Sequence, residues 1–206
     1  MIEGPRIMTD HTHRPESASH VSKEMERDRM IQELRKAVDV LRGENLGRLI
    51  PEVSSNLGYA LPYAEGIQDV AAFPGRIIRF KDTVATAGDP EFGVSRHIAG
   101  IILTVMRFDP EYRSAMNIRY SKEMAAKLKE KGFLVARFDR RNEPKEVKEK
   151  EGSSLAWGVG EVLRKSKQVP DIIYDEGDFG KEPMIRVLGR NPEEVVQKVL
   201  KAARAM

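Results

Sequence analysis

Cysteine is absent from the 206 residues. Disulfides, thiolate zinc sites and thiol nucleophiles are excluded with it, and a reducing, cytoplasmic home is expected. Long apolar runs are missing too. The longest, Ile98–Met106, counts nine residues with Ala99, Gly100 and Thr104 admitted, against the roughly 20 that span a bilayer. The N-terminal MIEGPRIMTDHTH lacks the apolar core of a secretion signal. No charge of one sign dominates: 35 Lys and Arg face 32 Asp and Glu, for a net charge of +3. Both signs are interspersed, so neither nucleic acid nor membrane is expected as a partner. Gly-x-Gly-x-x-Gly, Gly-x-Ser-x-Gly and the Walker phosphate loop do not occur, which argues against common dehydrogenases, α/β hydrolases and P-loop enzymes.

What remains is a mixed, moderately apolar chain long enough for one core. Residues 1–22 hold Pro5, Pro15, Ser17, Ser19 and three of the four histidines, His11, His13 and His20. They read as a flexible tail or linker remnant. A metal-binding His tract is the alternative, against which their loose spacing and the lack of an accompanying carboxylate pair count. Residues 23–206 read as a single domain. Ser22 opens a helix over 23–43 whose Met30, Leu34, Val38 and Leu41 share one face, with Gly43 as its stop. That apolar stripe needs cover, so a homodimer is expected.

The α/β core covers 47–205. Paired strands are predicted at 76–80 and 83–85, and a buried helix from Ser95 to about Phe108. Further strands fall at 115–120, 133–138, 171–174 and 184–188. Helices start at Ser121, at Ser153 or Ser154, and at Asn191-Pro192-Glu193-Glu194. The alternation predicts a three-layer α/β/α sandwich with a mixed, mainly parallel central sheet, preceded by the N-terminal helix.

Four segments carry chemistry. His97, the one histidine outside the tail, opens the buried helix beside Ser95 and Arg96, where free backbone N–H groups favour an anion. Arg113, Asn117 and Arg119 crowd one strand, and an interior arginine there calls for an oxyanion. Asp175, Asp178, Lys181 and Arg186 surround a strand-end loop suited to a phosphate and a metal. Asp139 ends another strand, and Arg76 follows a Pro-Gly turn. Each has a plainer reading: a helix cap, a wet edge strand, a polar hairpin, a turn residue.

Read in order, IPEVSSNLGYALPYA (50–64), DVAAFPGRI (69–77), PEFGVSRHIA (90–99), FDPEYRSAMNIRYS (108–121), FDRRNEPKEVKEKEGSSLAWGV (138–159) and PDIIYDEGDFGKEPMIRVLG (170–189) resemble the ThiN-type thiamine-phosphate synthase family. The resemblance implies a transferase joining hydroxymethylpyrimidine diphosphate to thiazole phosphate, giving thiamine phosphate and pyrophosphate. It implies catalytic roles for Arg76 and His97, at positions where regulator-type members of the family depart. It also implies a fused or separate hydroxymethylpyrimidine kinase. The alternatives are a non-catalytic thiamine-phosphate sensor, or the C-terminal fragment of a bifunctional kinase/synthase. Residues 1–22 are not expected to have room for a helix-turn-helix, nor this chain for a kinase domain. On this reading Arg76, His97 and Lys181 act as cations on the leaving group, with Mg²⁺ as cofactor and Asp175 and Asp178 as its candidate ligands. Arg113, Asn117, Arg119 and Arg186 are the candidates for the thiazole phosphate.

Overall fold

The computed structural model describes residues 16–149 and 153–204. In chain order they form α1 (Glu16–Arg42), β1 (Leu57–Ala60), β2 (Val70–Ala72), the hairpin β3 (Ile77–Phe80) and β4 (Thr83–Thr86), β5 (Glu91–Phe92) and α2 (Arg96–Met106). β6 (Ser114–Arg119), α3 (Lys122–Glu130), β7 (Val135–Arg137), α4 (Lys145–Glu149), α5 (Ser153–Lys165), β8 (Ile172–Asp175), β9 (Met184–Gly189) and α6 (Pro192–Ala203) follow. Helix starts obey local chemistry. Ser95 Oγ accepts from the Ile98 N–H, Ser121 Oγ from Met124 and Asn191 Oδ1 from Glu194, with Pro192 in the first turn of α6.

Helix α1 begins before the expected Ser22. No glycine or proline interrupts Glu16–Arg42, so nothing stops the helix until Gly43, and Ser22 lies inside it. The expected flexible tail is therefore helical from Glu16. Its remainder, with His11 and His13, lies outside the described residues, as does the side chain of His20.

Seven strands make one sheet in the order β5-β2-β1-β6-β9-β8-β7, and β3 and β4 make a separate two-stranded sheet, tied to Ser55 by a bridge at Ile77. The expectation of a mainly parallel sheet is overturned: only β7 and β8 run parallel, and every other pair is antiparallel. A parallel pair needs a crossover of a dozen residues or more. The segment between β7 and β8 supplies one through α4 and α5, whereas residues 176–183 leave room only for a reversal from β8 into β9.

Helices cover both faces of this sheet. Buried residues of α1, α3 and α6 cluster with Leu57, Met116, Ile118, Ile172, Ile185 and Val187. Buried residues of α2 and α5 cluster with Ala115, Ile173 and Leu188 on the other face. Met30, Leu34, Val38 and Leu41 are at most 1% exposed, against their own chain, so the stripe that suggested a homodimer already has its cover. Leu34→Ala is expected to cost about 2–5 kcal/mol, read as a lower denaturant midpoint with an unchanged m-value.

Alternation along the strands puts Asn117, Asp175 and Arg186 on the α2/α5 face. Asn117 stands opposite Arg186, and Asp175 opposite Met184. All lie toward the sheet edge where β6 and β8 end and β9 begins. Gly58 lets α2 lie close on β1: a Cβ there would sit 2.9 Å from both Ile98 and Ile102. That approach brings the start of α2 beside Asn56, at the same edge.

Candidate active site

A cleft of about 510 Å³ opens at this edge, between the Phe73–Arg76 turn and the first turn of α2. Arg76 and His97 both line it, with Asn56, Ser95 and Arg96. Phe73 and Val94 give it an apolar side. Arg76 reaches the cleft through a left-handed turn: Gly75 has φ 67° and Arg76 φ 68°, a conformation that costs a non-glycine residue on the order of 1–3 kcal/mol. The surroundings hold it there. Asn56 accepts the Phe73 N–H on Oδ1 and donates Nδ2 to the Phe73 carbonyl, both at 3.0 Å. The Arg76 guanidinium donates to the Val53 carbonyl. That segment is anchored in turn by Glu182, whose carboxylate accepts the N–H groups of Glu52 and Val53 at 3.0 and 3.2 Å.

His97 opens onto the cleft, yet protein atoms crowd the ring enough to disfavour its charged form. That desolvation, with the positive fields of Arg186, Arg76 and Arg140, lowers its pKa to about 4, against a smaller opposing pull from Asp175. In the free chain these effects favour a neutral imidazole at physiological pH. It offers one N–H donor and one acceptor nitrogen.

Behind the cleft lies a buried charged trio. Asp175 Oδ1 takes Arg140 Nε at 2.6 Å, and Oδ2 takes Arg186 Nη1 at 2.6 Å. Asp175 and Arg186 are fully buried, and Arg140 is 7% exposed. Phe138 lies against both guanidiniums, with its ring centre 5.2 Å from Arg186 Cζ and 5.7 Å from Arg140 Cζ. Burial lowers the Arg186 pKa to about 10 against the raising effect of Asp175, which leaves it charged at neutral pH.

The remaining candidates divide. Asn117 is near the cleft but holds backbone: Oδ1 accepts the Asn56 N–H at 2.8 Å, and Nδ2 donates to the Ser54 carbonyl at 3.0 Å. Arg119 is exposed at the cleft end of β6 and makes no ion pair among the described residues. Arg113 precedes the other end of β6, roughly 20 Å from Arg119 at the rise of a strand. There it bonds the Ala60 carbonyl and the Tyr59 hydroxyl, so the structure does not bring it to the cleft. Lys181 is not a free cation, because its ammonium meets Glu143 Oε2 at 3.3 Å and Ser154 Oγ at 3.1 Å. Asp139 caps a 3-10 turn and pairs with Arg141, whose hydrogen bonds hold the carboxyl down at about 2. Asp178 closes the turn to Lys181 and accepts the Phe179 N–H.

These contacts do not suit a protein-held Mg²⁺. Both Asp175 oxygens are taken by guanidiniums, and Oδ1 also accepts the Gly177 N–H. Among the described residues, no group of three or more His, Asp or Glu could hold a metal ion. Residues that sequence reasoning passed over are Arg140, Asn56 and Glu182. Only Arg140 left a signal, as a second cation beside Asp139 at a strand end.

An α/β domain with arginines and a helix N-terminus around a strand-edge cleft defines a class: proteins that bind and process anionic, phosphorylated small molecules. The chain belongs to the thiamine-phosphate synthase ThiN family, whose model matches residues 33–201. It is 40% identical over 175 residues to thiamine-phosphate synthase ThiN of Methanothermobacter thermautotrophicus, covering 84% of this chain and 92% of that protein. It is 47% identical over 174 residues to the bifunctional thiamine biosynthesis protein ThiDN of Methanocaldococcus jannaschii, and spans 40% of that relative's length. A crystal structure of the C-terminal domain of phosphomethylpyrimidine kinase matches with a TM-score of 0.81 at 48% identity, over 85% of this chain and 99% of that one. Among the described residues no helix is long and apolar enough to cross a membrane.

Proposed function

We propose that the chain condenses hydroxymethylpyrimidine diphosphate with thiazole phosphate, giving thiamine phosphate and pyrophosphate. It is a transferase of thiamine biosynthesis. The observation that carries this is the meeting of Arg76 and His97 in one cleft, in a chain 40% identical to a thiamine-phosphate synthase.

The bond from the pyrimidine methylene to the diphosphate oxygen breaks, and its electron pair leaves with the diphosphate. The thiazole nitrogen lone pair forms the new C–N bond. No proton has to change hands, so a neutral His97 is enough: its N–H donates to the departing oxygen while arginines supply the charge. Arg76 acts at the cleft mouth. Ser95 takes the Ile98 N–H, which leaves the first-turn N–H groups of Arg96 and His97 for ligand oxygens. Phe73 and Val94 form the apolar side against which the heterocycles align for attack. Arg119, on the same sheet face, is assigned to the thiazole phosphate. No step is assigned to Mg²⁺, and the reading requires no second copy of the chain.

The diphosphate must come from a kinase. A solved relative is the C-terminal domain of phosphomethylpyrimidine kinase, so a fused or separate kinase of that class is the proposed partner. Phosphorylated reactants are retained inside cells, which supports a cytoplasmic location. The test measures pyrophosphate release with each substrate alone and with both. Release that requires both, matched by thiamine phosphate formed, is the expected result. Binding of thiamine phosphate by calorimetry without release from the two substrates would replace this reading with the sensor.

A further inference from the structure

Arg186 poses a problem that its ion pair does not solve. It is fully buried on β9, and its Nε and Nη2 have no acceptor. Only Nη1 is used, by Asp175 Oδ2 at 2.6 Å and the Met184 carbonyl at 3.0 Å. Asp175 has little left to offer, since Oδ1 already holds Arg140 Nε and the Gly177 N–H. Two buried guanidiniums therefore share one carboxylate, and the trio keeps a net charge of +1 away from water. A structure selected for stability alone has no use for the second arginine or for two orphaned donors.

The orphaned donors have a geometry. The Nε–H and one Nη2–H of a guanidinium project side by side from one edge, the fork that fits two oxygens of a single phosphoryl group. The trio also stands next to the cleft. Arg186 is the strongest of the charges acting on the His97 ring, with Arg76, Arg140 and Asp175 after it. Asn117 faces Arg186 across the β6–β9 pair and bonds Asn56, which lines the cleft.

We propose that Arg186, clamped by Asp175, is the inner half of the diphosphate site, its Nε–H and Nη2–H donating to two oxygens of one phosphoryl group. Arg76 and the first turn of α2 are the outer half. This deepens, and rests on, the synthase reading. The diphosphate fits better than the monophosphate because it brings two phosphoryl groups to two separate sets of donors, and more negative charge to a cleft whose histidine is neutral. Low polarity around Arg186 strengthens the contact. Both donors are closed to solvent in the unliganded chain, so the anion must displace part of the cleft floor to reach them.

The test titrates the whole chain, labelled with ¹⁵N-arginine, with inorganic pyrophosphate, and with inorganic phosphate in a parallel arm. The Arg186 Nε–H resonance is expected to move with pyrophosphate and to saturate together with binding measured by calorimetry. Arg186→Lys keeps the charge and loses the fork, and is expected to weaken pyrophosphate binding by roughly tenfold or more. Pyrophosphate that binds without moving the Arg186 resonance overturns the inner site, since an ordered water then satisfies both donors, yet leaves the synthase reading intact. An equal response to both anions overturns the preference for diphosphate. No binding of pyrophosphate at all also overturns the proposal. The wild-type titration decides even where Arg186→Lys does not fold. The requirement for both substrates in the release assay judges the synthase reading separately.

Discussion

Arg76→Ala and His97→Ala are each expected to lower kcat on the order of 10²–10³-fold, the usual consequence of removing one preorganised electrostatic group from an active site. Melting temperature should hardly move. Both side chains are exposed on the cleft, and neither completes a buried charge network. A pH profile separates their roles. With its pKa lowered to about 4, His97 in the free protein stays neutral from pH 8 down to about pH 5, so kcat/KM should show no inflection near 6.5 from this residue. The stability linkage runs the same way. The unfolded chain protonates His97 near 6.5 and the folded chain near 4, so the stability contributed by its neutral form is complete above 6.5 and is lost as pH falls through that window. Steady-state kinetics on the two variants decide the matter: turnover within threefold of wild type in both would remove these residues from the mechanism.

His97 was legible because its signal is local. A serine cap, a helix start and the one histidine beyond residue 20 lie within three positions. The β3–β4 hairpin, the caps at Ser121 and Asn191 and the face of α1 were legible for the same reason. What the sequence hid is non-local. Strand alternation with helices reads as parallel, but direction depends on which strands pair, and β9 inserts between β6 and β8. Lys181 looks like a free cation in a Gly-rich loop until Glu143, 38 positions away, is seen beside it. Asn117 looks like a ligand group, and its amide is spent on the backbone at 54–56. Arg113 and Arg119 sit six positions apart in the chain and at opposite ends of one strand. Asp175 was legible as a strand-end carboxylate, which suggested a metal. Its two arginine partners come from a 3-10 turn and a neighbouring strand, and only folding brings them to it.

Asp175→Ala is expected to destabilise the chain by about 3–5 kcal/mol, the cost of leaving buried charge without its partner. Arg140 and Arg186 would then face each other with no counter-ion, Arg186 would keep only the Met184 carbonyl as acceptor, and the Gly177 N–H would lose Oδ1. For a chain of this size the loss corresponds to a melting temperature lower by roughly 6–20 °C. Asp175→Asn retains an acceptor oxygen without the charge and should fall between the two. The informative comparison is the triple exchange Arg140→Met, Asp175→Leu, Arg186→Met. Buried ion triads replaced by apolar side chains of similar size are often no less stable than the original, so this variant should recover the stability that Asp175→Ala loses. It should still bind pyrophosphate poorly, because the inner donors are gone. Stability regained with binding lost would mean that the trio is kept for the anion it receives. Denaturant midpoints for the three variants measure the first half of that statement and calorimetry with pyrophosphate the second. An Asp175→Ala midpoint equal to wild type would mean that the carboxylate does not hold the two guanidiniums in solution.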